Sequence, residues 1–205
     1  MALLALFGKH RAIKYNTNME EKRMSLVYTF LADGFEEVEA LAVVDVLRRA
    51  GIETKMVSIY DRYEVKSSHD IVIRADLLFE EADFEQADVL FLPGGIPGTP
   101  NLAAHKGLME QVLSFDKQGK RLAAICAAPS IFGELGLLKG KVASCYPGYE
   151  DKLEGAEYKR EKAITDGNIT TGRGMGSAIE LGLELVRLLQ DEEAAQDIAK
   201  KIQLV

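Results

Sequence analysis

The chain has little with which to hold nucleic acid, a metal ion or a membrane. Its 25 lysines and arginines stand against 32 aspartates and glutamates, a net charge of −7, so the basic surface that phosphate neutralisation needs is missing. There are three histidines and two cysteines, Cys126 and Cys145, with no CxxC pair and no metal-ligand spacing. A disulfide between the two is open, but a chain of 205 residues has no need of one, and the compartment reads as reducing and cytoplasmic. No stretch approaches the roughly 18 apolar residues of a membrane span. Internal repeats, low-complexity linkers and a second domain are equally absent. What is present, 47% apolar and 28% charged residues, describes a soluble globular chain long enough to close a large core. Small molecules or proteins are the expected partners.

The first residues, MALLALF, are apolar, yet Lys9, His10 and Arg11 follow them instead of preceding them, the reverse of a secretory signal. Because Met24 directly precedes a strong strand, residues 1–23 read as a loosely held extension and residues 24–205 as a single domain. From Leu26 to Ala32 the chain is apolar over a strand length and ends at Asp33-Gly34. Asp33 and Glu36, three apart, read as a capping pair for a helix that ends at Arg48-Arg49 before Gly51. Strands follow at Thr54–Ile59, Ile71–Ile73 and Asp88–Leu92, the last running into Pro93-Gly94-Gly95. A helix over about Lys106–Lys117 precedes a strand at Leu122–Ile125, and Pro129 opens another helix to Leu137. A short strand at Val142–Ser144, a hairpin within 158–171 turning at Asp166-Gly167, and helices from Ser177 to Leu189 and around Ala195, Ile198 and Ile202 complete the chain. Strand and helix alternate, so the class is α/β: a mostly parallel sheet with helices on both faces and a small hairpin.

In such a sheet, ligands bind beyond the carboxyl ends of the strands. Three ends converge there: Asp33 to Glu39, Pro93 to Gly95, and Cys126-Ala127. Cys126 falls on the turn between LAAI and a proline-opened helix, where the field of the helix N-terminus favours a thiolate. The plainer alternative is a buried, inert cysteine. Backbone N–H groups of Gly95 and Ala127 could form an oxyanion pocket, whereas Gly94 and Gly95 could also serve only a tight turn. Glu39 shares its side of the helix with Val38, Ala42 and Val46. In an apolar pocket it would have a raised pKa and could donate to sulfur; otherwise it complements the helix dipole. Glu36 and Glu37 read as capping and solvent-facing residues.

Four segments, LADGFEEVEA, FLPGG, AAICAAP and GRGMGSAIELGLELV, in this order and spacing, resemble the ThiJ/PfpI superfamily and its YajL-like deglycase branch, over about Ser25 to Leu204. The resemblance implies a flavodoxin-like sandwich, a homodimer, and an easily oxidised Cys126 on a strained nucleophile elbow beside a protonated Glu39, with Gly95 and Ala127 around it. Two departures matter. Superfamily proteases carry histidine directly after the nucleophile, where this chain has Ala127, so a peptidase ranks low. Eukaryotic relatives place a histidine facing the nucleophile where this chain has Tyr146, as YajL-type members have an aromatic residue. Tyrosine, with an unperturbed pKa of about 10, is no general base near neutrality. His69 matches an arginine near the dimer interface of relatives. With Arg49 it could hold an anion across that interface, or both could be solvated surface residues. Arg173 reads as a loop residue, since GRGMG has neither the ending of a phosphate loop nor the position of a dinucleotide fingerprint.

The resemblance thus implies a cofactor-free, metal-free glyoxalase or deglycase acting on methylglyoxal, glyoxal or their adducts with amines and thiols, with Cys126 as nucleophile and Glu39 as proton shuttle. A redox sensor or holdase working through oxidation of Cys126 is the alternative.

Overall fold

The computed structural model describes residues 24–205, so the extension expected over residues 1–23 lies outside the described residues. The chain begins with β1 (Leu26–Leu31), α1 (Glu37–Arg49) and β2 (Glu53–Ser58), then a hairpin of β3 (Glu64–Lys66) and β4 (Val72–Arg74), and the two-residue β5 (Leu77–Leu78). β6 (Val89–Leu92), α2 (Gly98–Ala104), α3 (Lys106–Lys117), β7 (Arg121–Ile125) and α4 (Pro129–Glu134) form the middle. β8 (Val142–Ala143) and β9 (Glu157–Tyr158) make a small parallel pair. β10 (Ala163–Asp166), β11 (Ile169–Gly172), α5 (Ala178–Leu189) and α6 (Glu192–Lys201) close the fold.

The main sheet runs β10-β11-β7-β6-β1-β2-β5 and is parallel throughout except for the edge strand β10, which the Asp166-Gly167 turn folds back antiparallel onto β11. Its central strands are apolar on both faces because both are covered. Successive residues alternate between two cores. Tyr28, Phe30, Leu90, Leu92, Leu122 and Ala124 pack with Leu108, Val112 and Phe115 of α3 and Ile131 and Phe132 of α4. Val27, Val89, Phe91, Ala123 and Ile125 face Val43, Val46 and Leu47 of α1, Leu181 and Leu185 of α5, and Ile198 of α6. That is why LVYTFL, VLFL and LAAI read as unbroken apolar runs rather than alternating ones.

The strand order reverses between β1 and β6. From β1 the chain winds through α1 to β2 on one side, and from β6 it winds through α2 and α3 to β7 on the other. The crevice at such a switch point is where an open sheet offers backbone N–H groups to a ligand.

Several local expectations need correction. α1 is capped by Glu36, whose carboxylate accepts from the Glu39 N–H at 2.6 Å, while Asp33 instead accepts from the Lys66 N–H and pairs with Arg62. Asp33 lies in the turn, too far back in the chain to reach the first helical N–H groups. β3, β5, β9 and α2 were not evident from pattern: three are two- or three-residue strands, and α2 begins amid Pro97, Gly98 and Pro100, which read as breakers although proline is tolerated in a first turn. Residue 158 belongs to β9 and pairs with β8, so the hairpin is the shorter Ala163–Gly172.

Candidate active site

Cys126 follows β7 with a backbone φ of +65°, a left-handed conformation that costs a residue with a Cβ roughly 1–3 kcal/mol. Its surroundings fix it there. Its N–H donates to the Gly172 carbonyl of β11 at 3.0 Å, and its carbonyl accepts from the Tyr146 N–H at 2.8 Å. β7 is thus stopped by a sharp reversal that lifts the thiol off the sheet end towards the loops after β1 and β6.

From the β1 side comes Glu39, in the first turn of α1 and 1% exposed. Val38 beside it is exposed, contrary to the grouping of both on one apolar side; Glu39 lies instead with Ala40, Val43 and Leu47, which are wholly buried. Its carboxylate accepts from the Gly94 N–H at 3.0 Å and from the Met175 N–H, and it hydrogen-bonds the Cys126 thiol. Desolvation by burial pushes its carboxyl up to about 7, reinforced by the nearby Glu36 charge, although the bonds from Cys126, Gly94 and Met175 work the other way.

The β6 loop contributes Gly94 and Gly95. A Cβ on Gly94 would stand 2.6 Å from both the Cys126 Cβ and Glu39 Oε2, so close approach, not merely a turn, demands glycine there. Gly95 has φ +97°, and its N–H and that of Ala127 are hydrogen-bonded to the Cys126 sulfur. The structure therefore brings Cys126, Glu39, Gly94, Gly95 and Ala127 together. Gly94→Ala is expected to wedge the pair apart, slowing alkylation of Cys126 and destabilising the fold by about 1–3 kcal/mol; unchanged alkylation and an unchanged denaturant midpoint would contradict this geometry.

One electrostatic expectation is reversed. The Cys126 thiol is raised, not lowered: burial acts first, then the charge of Glu39 and the hydrogen bond to it, and the N–H groups of Ala127 and Gly95 only partly offset them. The physical reason is that α4 has six residues and begins at Pro129, three positions beyond the cysteine, so no long helix directs its field at the sulfur. Cys126 and Glu39 instead behave as one coupled acid pair, doubly protonated at acid pH, that gives up its first proton near 7 and keeps the second well above it. Cys145, fully buried, is likewise pushed up to about 12 by burial and by Glu150.

The remaining candidates divide. Tyr146 stands at the mouth, half exposed, with its ring against Gly174. Arg49 pairs with Asp45 at 2.6 Å at the far end of α1, whereas His69 pairs with Glu37 at 2.9 Å at its near end. Within one chain the two do not converge, because the helix separates them. Glu37 is buried, not solvent-facing. Burial would raise its carboxyl, but bonds from its own backbone, His69 and Ser67 hold it below the usual range. Glu36, Glu37 and His69 have ligand atoms within 4.8 Å of one another, yet Glu36 is committed to capping α1 and Glu37 to His69. Sequence reasoning missed the part of the GRGMG backbone. Gly172 anchors Cys126 and Met175 reaches Glu39; the signal was that this stretch directly follows β11, the neighbour of β7.

The profile of the DJ-1/PfpI family matches residues 25–188. Protein DJ-1 homolog B of Arabidopsis thaliana is 37% identical over 171 residues, 82% of this chain, and this chain spans only 39% of that protein's length. A Pyrococcus abyssi protein named as a deglycase is 30% identical over 161 residues, covering 78% of this chain and 96% of that protein. Among solved structures, oxidized DJ-1 of Toxoplasma gondii superposes with a TM-score of 0.84 at 33% identity, over 87% of this chain and 98% of that one. The flavodoxin-like sandwich implied by the four sequence segments is thereby shown.

Proposed function

The chain belongs to the DJ-1/PfpI family, and from that premise we propose that it is a cysteine-dependent enzyme acting on 2-oxoaldehydes such as methylglyoxal and glyoxal, and on their adducts with amines and thiols. The observation that carries this reading is the partly exposed Cys126 set against the buried Glu39, with the N–H groups of Gly95 and Ala127 on the sulfur. A structural cysteine needs neither a buried carboxyl partner nor a left-handed backbone. The named deglycase among the relatives points the same way.

In this reading the Cys126 sulfur adds to the aldehyde carbon while its proton passes to Glu39. The carbonyl π pair moves to oxygen, which takes that proton back and completes a hemithioacetal. Glu39 next removes the hydrogen on the former aldehyde carbon, and the hydroxyl proton passes to the neighbouring carbonyl oxygen to give an enediol. Glu39 then returns its proton to the adjacent carbon as the first oxygen becomes a carbonyl, leaving a thioester of the 2-hydroxy acid. Water cleaves the thioester, releasing the hydroxy acid and restoring the thiol. The oxidation of one carbon is balanced by reduction of its neighbour, so the sequence closes without an external oxidant. Gly95 and Ala127 would steady the oxygen as it gains charge. A homodimer in the cytoplasm is part of the same proposal; among the described residues no helix is long and apolar enough to cross a membrane.

The reactive form carries one negative charge on the pair, whichever atom bears it, and that charge appears as Glu39 titrates. The kcat/KM for methylglyoxal is therefore expected to rise with pH about a midpoint near 7 and then stay level, because the second proton leaves only far above it. A rate already level from pH 5 upward would contradict the assignment.

A second reading, oxidation sensing or holdase action through Cys126, is favoured by one observation: Tyr146 contributes only its backbone N–H to the cysteine, and its hydroxyl makes no hydrogen bond among the described residues. Mild peroxide followed by mass spectrometry tests it, and an unmodified Cys126 under conditions that oxidise a free thiol would remove it.

A further inference from the structure

Arg173 is the side chain at this end of the sheet that the chemistry above leaves without a task. It lines a cavity of about 420 Å³ with Tyr146, Pro147, Lys162 and Met175. Its Nε is closed off from solvent and has no acceptor among the described residues, an arrangement proteins avoid because an unmet buried donor is unfavourable. No carboxylate pairs with its guanidinium among the described residues, whereas Arg48, Arg49, Arg62, Arg74 and Arg187 each have one. The neighbouring Lys162 is already paired with Glu180.

The cavity adjoins the acid pair. Gly174, which shares it with Arg173, lies over the carboxyl group so closely that a Cβ there would be 3.9 Å from Glu39 Oε1 and 3.3 Å from the Tyr146 ring. The peptide unit leading into Arg173 is held from both sides: the Gly172 carbonyl receives the Cys126 N–H at 3.0 Å, and the Arg173 N–H donates to the Lys162 carbonyl at 3.1 Å. A rigid backbone thus presents an unpaired fork of donors beside an otherwise apolar wall of Tyr146, Pro147 and Met175. The planar guanidinium matches a carboxylate in two parallel hydrogen bonds.

We propose that Arg173 binds the carboxylate of a substrate and that this cavity selects aldehydes in which an apolar segment separates the reacting carbonyl from an anionic end. The inference rests on the reading of Cys126 as a nucleophile toward aldehydes. It makes Arg173 a specificity residue that grips the far end of the substrate and leaves the reacting atoms to Cys126 and Glu39.

The test compares 4-carboxyphenylglyoxal with phenylglyoxal. For the wild-type chain, kcat/KM is expected to be roughly tenfold higher for the carboxylated compound, with the difference in KM. Arg173→Gln should bring that ratio close to one, and Arg173→Lys, which keeps the charge without the fork, should leave it intermediate. A purely structural role would slow both substrates in proportion, so an unchanged ratio in Arg173→Gln overturns the proposal. If neither aldehyde is turned over, the proposed activity fails. Calorimetric titration with 4-formylbenzoate and benzaldehyde then decides the subsite alone: roughly tenfold weaker binding of the carboxylate compound to Arg173→Gln sustains it, and equal binding overturns it.

Discussion

Replacing Glu39 with glutamine should yield a protein that is inactive and, at pH 8, more stable than the wild type. The folded Glu39 carboxyl titrates at about 7 against a reference of 4.5, so the folded state holds a proton that the unfolded chain has already released over that interval. Stability associated with the neutral carboxyl is fully present below pH 4.5 and is lost as pH rises through about 7. The loss corresponds to about 3 kcal/mol once the group is ionised. Glutamine keeps the shape, an acceptor for the Gly94 N–H and a donor for sulfur, but cannot ionise. Its melting temperature should therefore exceed that of the wild type by roughly 6–12 °C at pH 8 and converge with it below pH 4.5. Equal melting temperatures at pH 8 would mean that Glu39 is not held against its charge. The stability gain accompanied by loss of turnover is the trade expected where a site is kept strained for chemistry.

The second large effect concerns Cys126. Serine there should reduce methylglyoxal turnover by at least about a thousandfold, to the rate without protein, because an alcohol held against a buried carboxyl is a far poorer nucleophile than sulfur. Cys145, wholly enclosed where Cys126 is partly exposed, should remain unmodified while Cys126 is alkylated, which peptide mapping would read directly.

Much of this was legible in the residues. The three strand ends could be located because β1, β6 and β7 are apolar on both faces and each stops at a recognisable break: Asp33-Gly34, Pro93-Gly94-Gly95 and Cys126. Helix α1 was marked by its end charges and a capping residue, Glu36, and α3 by the spacing of Leu108, Val112 and Phe115; α3 spans Lys106–Lys117 as read. The short strands escaped because two or three residues carry no period, and α2 was hidden by its prolines. Electrostatics was the least legible. A turn before a helix suggested a lowered thiol, but the sign depends on how short α4 is and on a carboxylate 87 positions earlier in the chain that folding places against the sulfur. Arg173 was passed over because nothing in GRGMG tells a loop arginine from one whose Nε is buried and unmet; only the surrounding cavity does.

The most direct test of the account is lactate formation from methylglyoxal in the absence of glutathione, measured for the wild type, Cys126→Ser and Glu39→Gln, each confirmed to be folded. The account predicts lactate from the wild type and none above the protein-free blank from either variant. Lactate formation by Cys126→Ser at the wild-type rate would contradict it.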